Sequence, residues 1–122
     1  MVLSMVTKEE VKAAIGKVVE RINEYGPDFL DVSGEPKVGV IIEDLDMGWL
    51  ITYGEDCRVK ECKETMNMEG TQAVIMVTGQ AWVDIVYGKV DPAELYNSGG
   101  IRFKGDSNAL LKYVFPFATP RE

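Results

Sequence analysis

The strongest constraint on how this chain folds lies in residues 88–114, GKVDPAELYNSGGIRFKGDSNALLKYV, where two helix starts bracket one short alternating strand. Asp91 precedes Pro92, so a capping side chain stands directly before a residue whose fixed φ suits a first helical turn. A short helix through Ala93, Glu94, Leu95 and Tyr96 follows, broken by Asn97 to Gly100. Ile101-Arg102-Phe103-Lys104 then alternates apolar and basic at period two, the pattern of a strand with one face on a core and the other in water. Gly105-Asp106 ends that strand. Ser107 or Asp106 can cap the next helix, whose apolar positions Leu110, Leu111, Val114 and Phe115 cover more than one side before Pro116 stops it.

Toward the amino terminus the signals are equally local. Thr7 with Glu10 three residues on forms a capping box, and Val6 with Val11 can staple the same helix start. Val11, Ile15, Val18, Val19 and Ile22 fall at three- and four-residue spacing, which predicts one amphipathic helix to about Tyr25, ended by Gly26-Pro27. Val38 to Leu45, Trp49 to Tyr53, Cys57 to Lys63 and Gln72 to Val77 are β-branched or aromatic runs separated by turn residues. With the Ile101 strand they make five. Short connections favour antiparallel neighbours, so the expected architecture is α+β, a five-stranded mainly antiparallel sheet with helices on one face.

The 122 residues, 46% of them hydrophobic, suit one domain over 1–122, since a domain near this size buries about two-thirds of its unfolded surface. A net charge of -7 disfavours nucleic acid and anionic membrane surfaces as partners. Residues 1 to 30 hold no apolar run long enough to span a bilayer and no signal-peptide pattern, so no transmembrane segment is expected. Cys57 and Cys62 would lie about 16 Å apart on an extended strand, and reduced, half-buried thiols are expected. No His exists to complete a metal-ligand set, and no cofactor motif is present.

Residues 72–117 resemble the sterol carrier protein type-two family. The resemblance is carried by the order and spacing of Ala81 to Tyr87, Gly88-Lys89, Asp91-Pro92, Ile101 to Gly105-Asp106, and Ala109 to Val114. Gly99-Gly100 departs from the pattern, which more usually has Gly followed by Lys. The resemblance implies an apolar tunnel between helices and sheet, a lipid or fatty-acyl ligand, and no catalysis. The carboxy-terminal Thr119-Pro120-Arg121-Glu122 lacks the Ser-Lys-Leu type of address found in some relatives, so a prokaryotic cytoplasm is the expected location.

The residues themselves point the same way through a surplus of apolar surface. In Ala81 to Tyr87, Trp82, Ile85 and Val86 make one stripe while Val83 and Tyr87 make a second, although a helix in a two-layer fold needs only one apolar face. The last helix shows the same excess. At about 25 cal/mol per Å2, leaving those side chains in water forgoes several kcal/mol, so a ligand or a second subunit should cover them. The candidate ligand-binding residues are Trp82, Ile85, Val86, Leu95, Phe103, Leu110, Val114 and Phe115, with Met47, Met66, Met68 and Met76 either an adaptable wall or gap-fillers. A homodimer or an interaction module accessory to an enzyme is the alternative. Without His, a general base would have to be a carboxylate, Lys or Tyr of strongly shifted pKa, and Glu43, Asp44, Asp46 and Glu55-Asp56 read as solvated charges beside turns. Lys89, Arg102 and Lys104 could together meet an anionic head group near a tunnel mouth, although balancing an acidic surface is the plainer account of them.

Overall fold

A computed structural model describes residues 6–120; residues 1–5 and 121–122, which include parts of the terminal stretches read for a leader and an address, lie outside the described residues. The elements run α1 (Lys8–Phe29), β1 (Lys37–Ile42), β2 (Met47–Tyr53), β3 (Val59–Glu64), β4 (Ala73–Val77), α2 (Gly79–Val86), α3 (Pro92–Asn97), β5 (Arg102–Gly105), α4 (Ser107–Tyr113) and α5 (Phe115–Ala118).

The strands form one mixed sheet in the order β3-β2-β1-β4-β5. β1 pairs parallel with β4, and the β1-β2, β2-β3 and β4-β5 pairs are antiparallel. Registers Val38↔Ile51, Val40↔Trp49 and Ile42↔Met47 on one side, and Val40↔Ile75 and Ile75↔Phe103 on the other, put these side chains on a single face. That face is the core: Val38, Val40, Ile42, Ile51 and Ile75 have no exposed surface and pack with Val11, Val18 and Ile22 of α1. The period-two alternation of each strand thus decides which side the helices cover.

On the opposite face the Met68 thioether lies over Gly39, where a Cβ would collide with its sulfur, while a Cβ on Gly48 would first meet the Thr65 carbonyl. A single loop side chain thereby covers part of the outer sheet surface.

The capping box at the start of α1 forms as expected, with Glu10 N–H donating to Thr7 Oγ1 at 3.1 Å and Thr7 N–H donating to Glu10 Oε1 at 2.9 Å. The helix does not stop at Gly26-Pro27, however; it continues to Phe29 with Pro27 inside it. Proline removes the N–H that would bond the carbonyl four residues back, that of Asn23. Arg58 Nε donates to that carbonyl instead, at 3.3 Å, and Asn23 Oδ1 accepts from Val59 N–H at 2.8 Å. A proline so placed costs little.

The carboxy-terminal helix also differs from the expected single segment. Pro116 does not end it but sits in the first turn of α5, after a break at Val114 (φ -111, ψ -57). α2 begins two residues before Ala81, because Thr78 Oγ1 accepts from Ala81 N–H at 3.2 Å and Asp44 Oδ1 accepts from Gly79 N–H at 2.8 Å. No described helix is long and apolar enough to cross a membrane.

Candidate functional site

Asp91 Oδ1 accepts from Ala93 N–H at 2.9 Å and starts α3, while Pro92 occupies its first turn. After that short helix Gly99, at φ 85, turns the chain, and Gly100 N–H donates to the Leu95 carbonyl at 2.7 Å, which returns the chain to the sheet as β5. Gly99-Gly100, the point where the sequence departs from the family pattern, therefore closes the helix in a left-handed turn that a glycine adopts without strain.

Between these elements and the last two helices lies a cavity of about 560 Å3. Pro92, Ala93 and Tyr96 wall it from α3, and Phe103 from β5. Leu110 and Leu111 close it from α4, with Phe115 from α5, and the hydroxyl-bearing Ser107 and Thr119 lie among them. The Tyr96 and Phe103 rings stack with centroids 5.3 Å apart. Its size falls within the range of small-molecule pockets, about 300–1,000 Å3, and its walls are chiefly alkyl and aromatic. A continuous tunnel between helices and sheet is not seen among the described residues.

Three of the eight sequence-predicted residues, Phe103, Leu110 and Phe115, meet at this cavity. Leu95 is half-buried and packs toward Gly100. Trp82, Ile85, Val86 and Val114 have no exposed surface and belong to the core, away from the cavity walls. Pro92, Ala93, Tyr96 and Leu111 also wall the cavity and were not among those eight; Tyr96 and Leu111 are 53% and 60% exposed. The doubled Leu110-Leu111 held a usable signal, since adjacent helical residues point about 100° apart, and here Leu110 is fully buried while Leu111 is exposed.

The methionines do not gather. Met47 is in the core, Met66 is exposed, Met68 lies on the outer sheet face, and Met76 is half-buried opposite Arg102. Nor do the three basic residues converge, because Arg102 and Lys104 point away from Phe103 on the outer face and Arg102 pairs with Glu43. Three carboxylates expected to be merely solvated thus have structural partners: Glu43 holds Arg102, Asp44 caps α2, and Asp56 Oδ1 accepts from Arg58 N–H at 3.1 Å.

Cys57 and Cys62 are unbonded to one another. Burial pushes the Cys62 thiol up to about 11, which leaves it a poor nucleophile at neutral pH. Among the described residues, no group of three His, Cys, Asp or Glu side chains is placed to hold a metal ion.

A second, more open hollow of about 600 Å3 adjoins the cavity. Asp91, Pro92 and Thr119 belong to both, and Lys89 and Glu94 add charge to the second alone.

The far wall is tied down by α1. Arg21 Nη1 donates to the Ala118 carbonyl at 3.0 Å and reaches the Phe117 carbonyl at 3.4 Å, holding the end of α5.

No family model matches the chain, and no curated protein matches it in sequence. Solved structures do. A crystal structure of sterol carrier protein 2 superposes with a TM-score of 0.64 at 13% identity, over 87% of this chain and 91% of that one. The fold is that of sterol carrier protein 2. The palmitated solution structure of a sterol carrier protein 2 like protein from Aedes aegypti shares it with a TM-score of 0.57 at 16% identity, over 88% of this chain and 90% of that one. The sterol carrier protein 2 fold also occurs inside a stereoselective inverting sec-alkylsulfatase from Pseudomonas sp., with a TM-score of 0.55 at 13% identity over 85% of this chain. This chain spans only 14% of that sulfatase's length. What is common to these proteins is the fold, at an identity too low to carry individual side chains across.

Proposed function

We propose that this protein is a non-catalytic carrier that holds a hydrophobic molecule with an alkyl or acyl chain, a fatty acid or another lipid, and shields it from water during transfer. The observation that carries this reading is the cavity walled by Tyr96, Phe103, Leu110, Leu111 and Phe115. Each methylene buried contributes about 0.8 kcal/mol, so about ten of them supply roughly 8 kcal/mol, the scale of a micromolar complex. The likeness to a palmitated protein of the same fold supports an acyl chain as one occupant. Catalysis is left out because the walls are alkyl and aromatic, and the carboxylate on the rim, Asp91, already caps α3. The cytoplasm is the location that goes with this reading.

Delipidated protein titrated with a fluorescent fatty-acid analogue should bind it saturably in the micromolar range. Ala93→Trp, which fills the cavity from an exposed position on α3, should abolish that binding while the fold survives. No saturation, or saturation unaffected by the tryptophan, removes the proposal.

A second reading rests on the exposed Tyr96 and Leu111 rings and chains: the same face meets a second copy or an enzyme partner. Mass measurement in solution separates the two. A dimer that dissociates on Leu111→Gln favours association over carriage.

A further inference from the structure

Asp91 stands on the ridge shared by the apolar cavity and the open hollow beside it, and it cannot swing away without releasing the Ala93 N–H. A chain seated between α3 and α4 brings its polar end to this ridge, where Thr119 also lies in both spaces. Among the described residues, the charged groups of the hollow are Asp91, Glu94 and Lys89: two carboxylates against one exposed ammonium. The chain as a whole is acidic as well, at net charge -7. A carboxylate head arriving here loses part of its hydration and meets like charge, both of which disfavour it. A hydroxyl or ester head meets neither penalty, and the Ser107 and Thr119 hydroxyls can both donate to it and accept from it.

We infer that the cavity selects amphiphiles with an uncharged, hydrogen-bonding head group, long-chain alcohols and their esters, over free fatty-acid anions. The inference rests on the carrier reading above and narrows its ligand class.

The test is displacement of Nile red, a neutral dye, by dodecanol and by laurate at pH 8, each below its aggregation concentration. A carboxylate is in any case costlier than a hydroxyl to take from water, so the deciding quantity is how the ratio of the two midpoints changes on substitution. In the parent, dodecanol should displace the dye at about tenfold lower concentration. Asp91→Asn, which keeps a good N-cap, should shrink that ratio about threefold, and Asp91→Asn with Glu94→Gln should shrink it further. A ratio that does not move in either variant, or a parent that prefers laurate, overturns the selectivity while leaving the carrier in place. Failure of Nile red to bind saturably, or of dodecanol to displace it, overturns both.

Discussion

Removing the Arg21 guanidinium should loosen the wall of the cavity that α5 provides. Arg21→Met keeps most of the aliphatic stem but deletes the donors to the Ala118 and Phe117 carbonyls, at 3.0 and 3.4 Å. A hydrogen bond from a charged donor is worth about 1.5–3 kcal/mol, and only the shorter of these two is well formed. Burial lowers the pKa of Arg21, with Tyr87, Glu20 and Tyr25 acting in the opposite sense, so partial desolvation takes back some of the gain. The net loss should be about 1–2 kcal/mol, a fall in Tm of roughly 4–8 °C for a domain of this size. Phe115 and Thr119 line the cavity from the segment that Arg21 anchors, so the same substitution should speed ligand escape. Where release requires α5 to swing out, a loss of about 1.4 kcal/mol accelerates it about tenfold. Thermal denaturation reads the first effect. Stopped-flow transfer of a preloaded fluorescent acyl probe to excess acceptor vesicles reads the second. An unchanged Tm shows that Arg21 is no latch, and a lowered Tm with an unchanged release rate shows that α5 is no gate.

Tyr53→Phe should cost about 1–2 kcal/mol in urea denaturation, because the fully buried Tyr53 hydroxyl donates to the Tyr113 carbonyl at 2.6 Å. That carbonyl has no helical substitute, since Phe117 N–H and Ala118 N–H both go to the Val114 carbonyl. Gly105→Ala should destabilise by more than about 2 kcal/mol, since it combines a left-handed backbone at φ 87 with a Cβ that collides with the Gln72 carbonyl. Gly34→Ala, left-handed at φ 76 but in open space, should lose only about 1 kcal/mol by the same assay. Similar losses at both glycines would show that the close β4-β5 approach at Gly105 is unimportant. Burial raises the Cys62 thiol from 9.0 to about 11, so its stabilising contribution is complete below pH 9 and disappears as pH rises to about 11. Stability should therefore decline over that interval more steeply in the parent than in Cys62→Val, and parallel profiles would rule the thiol out as a contributor.

The parts of the fold that were legible are those where a local signal had no distant competitor. Asp91-Pro92 starts α3, and the Ile101 to Lys104 alternation becomes β5 with Phe103 on the core side, because each depends on neighbours within a few residues. Gly26-Pro27 misled because the group that makes the proline tolerable, Arg58, lies 35 residues away from the Asn23 carbonyl it satisfies. Pro116 misled for a related reason: a break at Val114 turns it from a terminator into the opening of α5. At the candidate site the difficulty was one of layers. Trp82, Ile85 and Val86 looked like ligand-lining residues because the sequence does not say that α1 packs on α2 and that they have no exposed surface. Once that cover is counted, the exposed large apolar side chains of the segment from α2 to α5 are Tyr87, Tyr96 and Leu111, with Phe103 and Phe115 partly buried.

The location of the cavity follows from the same accounting. α1 is 22 residues long, whereas the cavity beside the four-residue edge strand β5 is walled by α3, α4 and α5, of six, seven and four residues. Helices so short cannot close over an edge strand as a continuous layer, and the break at Val114 redirects the last of them. An opening at that corner is the geometric consequence. It also separates what holds the fold from what would choose a ligand: the sheet order and the α1 layer can match a sterol carrier protein 2 structure at 13% identity, while the cavity is walled from residues 91–119 alone. Substitutions at the exposed wall positions Asp91, Ala93, Tyr96 and Leu111 should therefore alter the cavity and leave the core beneath intact.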